Sequence, residues 1–127
     1  SSGLKTHYIE NLVLTRRLIY SPNILAYQDP ITSRVYPGII DEHKFDTNII
    51  DSKLVYQEKK IAAVMQLENL DTNKTLTAYI NEERARAWDD YIEVGGYDKS
   101  TLKRYVKVYS NGEFDTAILK IKVITKQ

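Results

Sequence analysis

The sequence predicts an α+β fold in which an N-terminal helix packs on an antiparallel sheet of about four strands, with short β and helical insertions between them. From Leu4 to Tyr20 the apolar residues recur at three- and four-residue steps, which is typical of a helix. In the second half of the chain they alternate with polar residues, which is typical of strands. The 127 residues suit one domain with one core.

The predicted helix from Leu4 to Tyr20 ends before Pro22, because the residue preceding a proline avoids the helical region. Three apolar residues share a stripe that we expect to face the sheet: Ile9, Leu12 and Val13. Leu14 and Leu18 lie on the other side of this helix. We therefore expect these two leucines to remain partly exposed or to contact another chain.

The segment after the helix predicts short elements. Two β segments, Ile24 to Tyr27 and Arg34 to Gly38, flank a turn at Asp29-Pro30. Asp41 and Asp46 are suited to cap two short helical turns, because their carboxylates accept hydrogen bonds from main-chain N–H groups. We expect the second turn to bury three apolar residues: Ile49, Ile50 and Leu54.

Alternating residues predict the main strands. One runs from Ile61 to Leu67 and the next carries Leu76, Ala78 and Ile80 on one face, before a helix from Asn81 to Tyr91 in which Asn81 is the candidate cap. The last two strands flank Asn111-Gly112, a dipeptide typical of a tight hairpin turn. Two sets are expected to face the core from these strands: Leu102, Val106 and Val108, and Leu119, Ile121 and Val123.

Composition limits the possible functions. The formal net charge of +1 names no partner, and the absence of cysteine excludes disulfides and thiolate metal sites. No apolar run approaches the roughly 18 residues that cross a bilayer. Ser1-Ser2-Gly3 has the composition of a cleaved-tag remnant, so residues 4–127 are expected to be one soluble domain that an N-terminal segment naturally precedes.

The sequence offers no set of residues that predicts catalysis or a cofactor. His7 and His43 lie too far apart in the sequence to suggest a zinc site. The carboxylates from Asp41 to Asp46 are explained by helix capping, and the acidic pairs Glu82-Glu83 and Asp89-Asp90 by ion pairs on a helix with Arg84 and Arg86. We therefore expect no enzyme, no cofactor and no metal.

Lysine and tyrosine alternate on one face of the predicted last hairpin. The candidate interaction residues there are Lys103, Tyr105, Lys107 and Tyr109, with Lys120 and Lys122 alongside. Single-stranded nucleic acid is bound by such faces through stacking and phosphate attraction. The near-neutral charge favours an ordinary solvated face, so nucleic-acid binding is the alternative hypothesis. Asn73-Lys74-Thr75 is an N-glycosylation sequon in a predicted loop, so Asn73 is a candidate acceptor.

Several stretches resemble one family. These are Leu18 to Tyr27, Arg34 to Asp41, Lys44-Phe45, and Tyr105 to Gly112 with its following strand. Together they resemble the soluble domains of archaeal, membrane-anchored type IV pilin-like proteins, including archaellum accessory proteins. The resemblance covers both ends of the chain more closely than its middle.

The resemblance implies a structural role at the cell surface. It implies a hydrophobic anchor that continues into the Leu4 to Tyr20 helix and holds the domain outside the membrane. The implied partners are other protein subunits, and filament formation is the implied mode of assembly. Without such an anchor we expect a monomer or a weak dimer.

Overall fold

The computed structural model describes residues 2–55, 60–91 and 96–126, and these form an α+β fold around a curled, mixed six-stranded sheet. Three α-helices are described, with a 3₁₀ turn at Glu42–Lys44. They are α1 (Ser2–Tyr20), α2 (Thr47–Lys53) and α3 (Glu82–Tyr91). The strands are β1 (Ala26–Gln28), β2 (Val35–Asp41), β3 (Ala62–Asn69), β4 (Thr75–Ile80), β5 (Tyr97–Ser110) and β6 (Glu113–Lys126).

The sheet has the order β1-β2-β5-β6-β3-β4 and is larger than the predicted four strands. The predicted insertion does not stand apart, because β1 and β2 join the same sheet. β2 runs parallel to β5, with Ile40 beside Val108, whereas the other neighbouring strands are antiparallel. Without this pairing β5 would be an edge strand, and its main-chain N–H and C=O groups on that side would have no partners in the sheet.

The segment after β2 reaches across to the opposite edge of the sheet. The main-chain N–H of Tyr79 on β4 donates to the hydroxyl of Thr47 at the start of α2, at 3.0 Å. Nearby, Lys74 Nζ lies 2.7 Å from Glu42 Oε1. The sheet therefore curls around a core to which α2 contributes Ile50.

Helix α1 packs on the sheet through the side opposite to the predicted one. Leu14 and Leu18 are 1% and 0% exposed, so the prediction that they lie at the surface or between chains is wrong. Ile9 and Val13, predicted to be buried, are 54% and 60% exposed. The buried side also contains Asn11, whose Nδ2 donates to the main-chain oxygens of residues 100 and 121 at 2.7 and 3.2 Å.

The loops after β1 and β3 share one hydrogen-bond pattern. In each, an Asx side chain, Asp29 or Asn69, accepts hydrogen bonds from the N–H groups two and three residues later. Four residues after it, Ser33 or Asn73 has a φ of 61° and donates its N–H back to the main-chain oxygen of that Asx residue. These Asx turns fix the ends of both hairpins.

The predicted helix caps are confirmed in two of three places. Asp41 Oδ1 accepts from the N–H of His43, and Asp46 Oδ1 accepts from the first turn of α2. Ile50 and Leu54 are buried as predicted, but Ile49 is 39% exposed. Asn81 has a φ of 51° instead of the extended backbone of an N-cap, and its side chain donates to the oxygen of residue 61.

The β5–β6 hairpin is as predicted in its turn and its faces. Asn111 and Gly112 have φ values of 50° and 85°, which a tight primed turn requires. The strands are longer than predicted, since β5 already starts at Tyr97. The predicted inward residues of both strands line the α1 side, where Leu102 is half-buried and the others are buried.

Candidate protein-binding surfaces

The face of the sheet opposite α1 carries the predicted lysines and tyrosines. In β5 and β6 the residues of one parity line the core, and those of the other parity point away from α1. All six predicted residues belong to the second set: Lys103, Tyr105, Lys107, Tyr109, Lys120 and Lys122. The structure therefore confirms their common face, which we call the open face.

Helix α3 packs against one end of the open face. Asp89 of α3 lies 2.8 Å from Lys122 Nζ and 3.8 Å from Lys99 Nζ. Beside them the guanidinium of Arg86 lies 4.6 Å from the ring centroid of Tyr79. Lys122 is thus neutralised within the domain and is a poor candidate for contacts with a partner.

An aromatic cluster occupies the other end of the open face. The ring centroid of Tyr27 lies 4.2 Å from that of Tyr109 and 5.5 Å from that of Phe114. The Arg34 guanidinium lies over Tyr36 at 4.8 Å. Burial raises the pKa of Tyr27, and the neighbouring Tyr109 and Asp29 raise it further. Tyr109 therefore belongs to a packed cluster and does not stand free as a stacking platform.

Only the middle of the open face keeps the predicted basic and aromatic character. Lys103 on β5 is directly opposite Lys120 on β6. Tyr105 is 79% exposed, and Lys107 Nζ lies 3.2 Å from the hydroxyl of Thr116. Within the described chain neither Lys103 nor Lys120 has an ion-pair partner.

A groove of about 350 Å³ crosses this middle region. Its lining combines basic, acidic, neutral polar and apolar side chains. They are Gln66, Glu68, Thr75, Lys103, Ile118 and Lys120. Sequence reasoning placed both lysines on this face, but it missed the residues of β3 and β4, because the neighbours of β6 are set by strand order.

The outer side of α1 forms a second exposed surface. Ile9, Val13, Arg16 and Tyr20 recur at i, i+4, i+7 and i+11, which aligns them along one line of a helix. Tyr20 is 54% exposed, similar to Ile9 and Val13. We call these four residues the outer stripe. It is apolar except for Arg16, and helices of water-soluble domains usually show a polar face at this position.

The acidic residues between Asp41 and Asp46 serve the fold. Both aspartates cap helical turns, and Glu42 pairs with Lys74 from the β3–β4 loop. The hydrogen bond from Lys74 holds the pKa of Glu42 below its ordinary value, and Ser110 contributes a further hydrogen bond. In the parts of the chain that the structure describes, no group of three or more metal-ligating side chains occurs.

The acidic pairs on α3 also have structural partners. Glu82 lies 2.8 Å from Arg86 one helical turn later, as the sequence predicted, whereas the guanidinium carbon of Arg84 lies over the Trp88 ring, 5.9 Å from its centroid. The side chains of Asp90 and of His7 lie outside the described residues. Asn73 lies exposed in the β3–β4 loop, where a sequon acceptor must be accessible.

The comparisons with known proteins give no family for this chain. No protein-family model, no curated protein and no solved structure matches it. Within the described residues, no helix combines the length and the apolar character that crossing a lipid bilayer requires.

Proposed function

We propose that this chain is a non-enzymatic structural and protein-binding domain of an archaeal, pilin-like protein at the cell surface, attached to the membrane by a hydrophobic helix that precedes α1. The outer stripe of α1 is the observation that carries the proposal. Ile9 and Val13 are more than half exposed although they are apolar and lie in a regular helix. An exposed apolar stripe on a regular helix is typical of a contact site for another protein.

The proposed occupant is the α1 helix of another subunit of the same kind. Ile9, Val13 and Tyr20 offer side chains of the types that fill helix–helix contacts, and Arg16 provides one charged group among them. Leu14 and Leu18, which the sequence suggested for this contact, are buried in the core. The proposed contact is therefore still made by α1, but by the opposite side of the helix.

The size of the outer stripe favours weak association. Eleven steps along a helix, from Ile9 to Tyr20, span about 17 Å at about 1.5 Å per residue. A contact of that length buries less than the roughly 1,200 Å² typical of stable interfaces. The isolated chain is therefore a monomer or a weak dimer, and the additional surface needed for a filament comes from the proposed anchor.

Sedimentation over a wide concentration range tests the role of the outer stripe. Ile9→Glu and Val13→Glu should abolish self-association, whereas Ile31→Glu should leave it unchanged, because Ile31 is an exposed apolar residue in the β1–β2 loop. If the chain sediments as a monomer at every concentration, the NMR chemical shifts of backbone amides along the outer stripe should still change between low and high protein concentration. Association that survives both glutamate variants, or shifts that change elsewhere, would contradict the proposal.

The anchor has a separate test. The gene should encode about 20 consecutive apolar residues upstream of Leu4, enough for one membrane-spanning helix. An ordinary hydrophilic start at that place would contradict the pilin-like assignment and leave the outer stripe as a contact between water-soluble proteins.

A single-stranded nucleic-acid-binding module is the alternative. Exposed Tyr105 between lysines supports it. Its weight is reduced because Tyr109 is packed against Tyr27 and Lys122 is paired with Asp89. Salt-sensitive binding of an oligonucleotide that Tyr105→Ala weakens by about 1–3 kcal/mol would favour this alternative.

A further inference from the structure

We propose that the groove on the open face binds an extended, acidic polypeptide segment of a partner protein. The proposal extends the proposed function, because it gives the same protein-binding domain a second surface on the side away from α1. It depends on the charge of the groove, on the chemistry of its walls and on its direction along the sheet.

The charge of the groove is unbalanced where β5 meets β6. Lys103 and Lys120 are directly opposite each other, and like charges in that position destabilise a strand pair. Lys107, four residues further along β5, donates a hydrogen bond to the neutral hydroxyl of Thr116 and forms no ion pair among the described residues. Two lysines thus line the groove against one carboxylate, that of Glu68, and Lys107 adds a positive charge further along β5. An anionic ligand would relieve the repulsion between the two facing lysines.

The walls of the groove distinguish a polypeptide from a nucleic acid. Gln66 and Thr75 each offer a donor and an acceptor, while Glu68 offers acceptors only and has no ion-pair partner in the described chain. A polypeptide backbone presents N–H and C=O groups alternately, so it can satisfy all three. A phosphodiester backbone carries negative charge at every step and offers no N–H donor to Glu68, whereas a polypeptide backbone does.

The groove continues along β3 and β6 and can therefore hold an extended chain. A second depression shares Gln66 and Lys120 with it and adds Val64 and Lys122, whose charge is already paired with Asp89. A third depression shares Val64 and ends at α3. From Glu68 to Val64 the distance is about 13 Å at about 3.3 Å per residue, which matches about four residues of extended ligand. Exposed Tyr105 on neighbouring β5 offers the large amphipathic side chain that protein interfaces favour.

Fluorescence anisotropy of the chain with labelled peptides tests the proposal. The probe is a fluorescein-labelled peptide of alternating glutamate and threonine. Its two comparison ligands are the same peptide with glutamine in place of glutamate and a short oligothymidylate. We expect the acidic peptide to bind at least about tenfold more tightly than the glutamine peptide. Its affinity should fall as salt is raised, because exposed charges are screened.

Charge-removing variants locate the binding site. Lys103→Gln and Lys120→Gln should each weaken the acidic peptide about three- to tenfold, whereas Lys53→Gln, at the end of α2, should leave its affinity unchanged. Neither groove variant should lower the thermal midpoint, because each removes half of a repulsive pair. Loss of binding can thus be separated from loss of folding.

Several outcomes would overturn the proposal. They are no binding of the acidic peptide, equal binding of the glutamine peptide, unchanged affinity in both lysine variants, and tighter binding of oligothymidylate. The last outcome would assign the groove to nucleic acid. Val13→Glu serves to separate the two proposals, because it should abolish self-association without changing peptide affinity. Failure at one surface therefore leaves the other standing.

Discussion

The side-chain amide of Asn11 lies 2.7 Å from the main-chain oxygen of Ser100, so α1 is hydrogen-bonded to a strand 89 residues later in the chain. The same amide lies 3.2 Å from the main-chain oxygen of Ile121, and its own oxygen accepts a hydrogen bond from Thr15 at 3.0 Å. Asn11 is fully buried. A buried amide must be hydrogen-bonded, so these contacts specify which side of α1 faces the sheet.

We expect Asn11→Ala to lower the free energy of unfolding by about 1–3 kcal/mol, because the buried hydroxyl of Thr15 and two strand oxygens lose a partner. Urea denaturation measures this change. Asn11→Leu is the comparison, since it fills the space without restoring the hydrogen bonds and should also destabilise. A loss below about 0.5 kcal/mol in both variants would mean that the network does not hold the helix in place.

Truncation along α1 should show the burial of its two sides. Leu14→Ala and Leu18→Ala are each expected to cost about 2–5 kcal/mol, because they leave cavities in the core. Val13→Ala, one residue away, should change the free energy of unfolding by less than about 0.5 kcal/mol. The higher helix propensity of alanine would add a small stabilising contribution. Equal costs at positions 13 and 14 would contradict the packing of this helix.

The pair between Glu42 and Lys74 should make stability depend on acidity. The folded-state pKa of Glu42 lies below its ordinary value, so its contribution is present above the unfolded-state pKa and is lost as the pH falls through the folded-state pKa. The free energy of unfolding, measured against pH, should therefore differ between the unmodified chain and Glu42→Gln near neutral pH and become equal in acid. Parallel curves at every pH would show that the pair contributes nothing through its charge.

The hairpin turn should depend on glycine at position 112. The φ of 85° lies in the left-handed region, where a Cβ costs about 1–2 kcal/mol. Beyond the glycine and its two chain neighbours, no heavy atom lies within 4 Å of a Cβ built there, so the loss from Gly112→Ala comes from the backbone conformation. Gly112→Asn should cost less, because asparagine tolerates this region. Thermal unfolding of both variants measures the difference, and equal losses would argue against this explanation.

The faces of the strands and the chemistry of the turns were predictable from local sequence. The alternation of side chains along a strand is enough to place Tyr105 and Lys120 on one face. Asp46 precedes a helix because its carboxylate can accept hydrogen bonds from the free N–H groups of the first turn. The shared pattern after Asp29 and Asn69 also has a local signal, because each is followed three residues later by threonine. In both loops the threonine hydroxyl accepts a hydrogen bond from the main-chain N–H two residues later.

The sequence by itself determined roughly where the helices and the main strands lie, where the last hairpin turns and which side chains share its faces, because these depend on neighbours a few residues away. Only the tertiary structure decided that Leu14, and not Val13, enters the core. The helix is apolar on both sides, so its own pattern could not select one. The choice depends on the strand oxygens that Asn11 binds, and these belong to residues far from the helix in the chain.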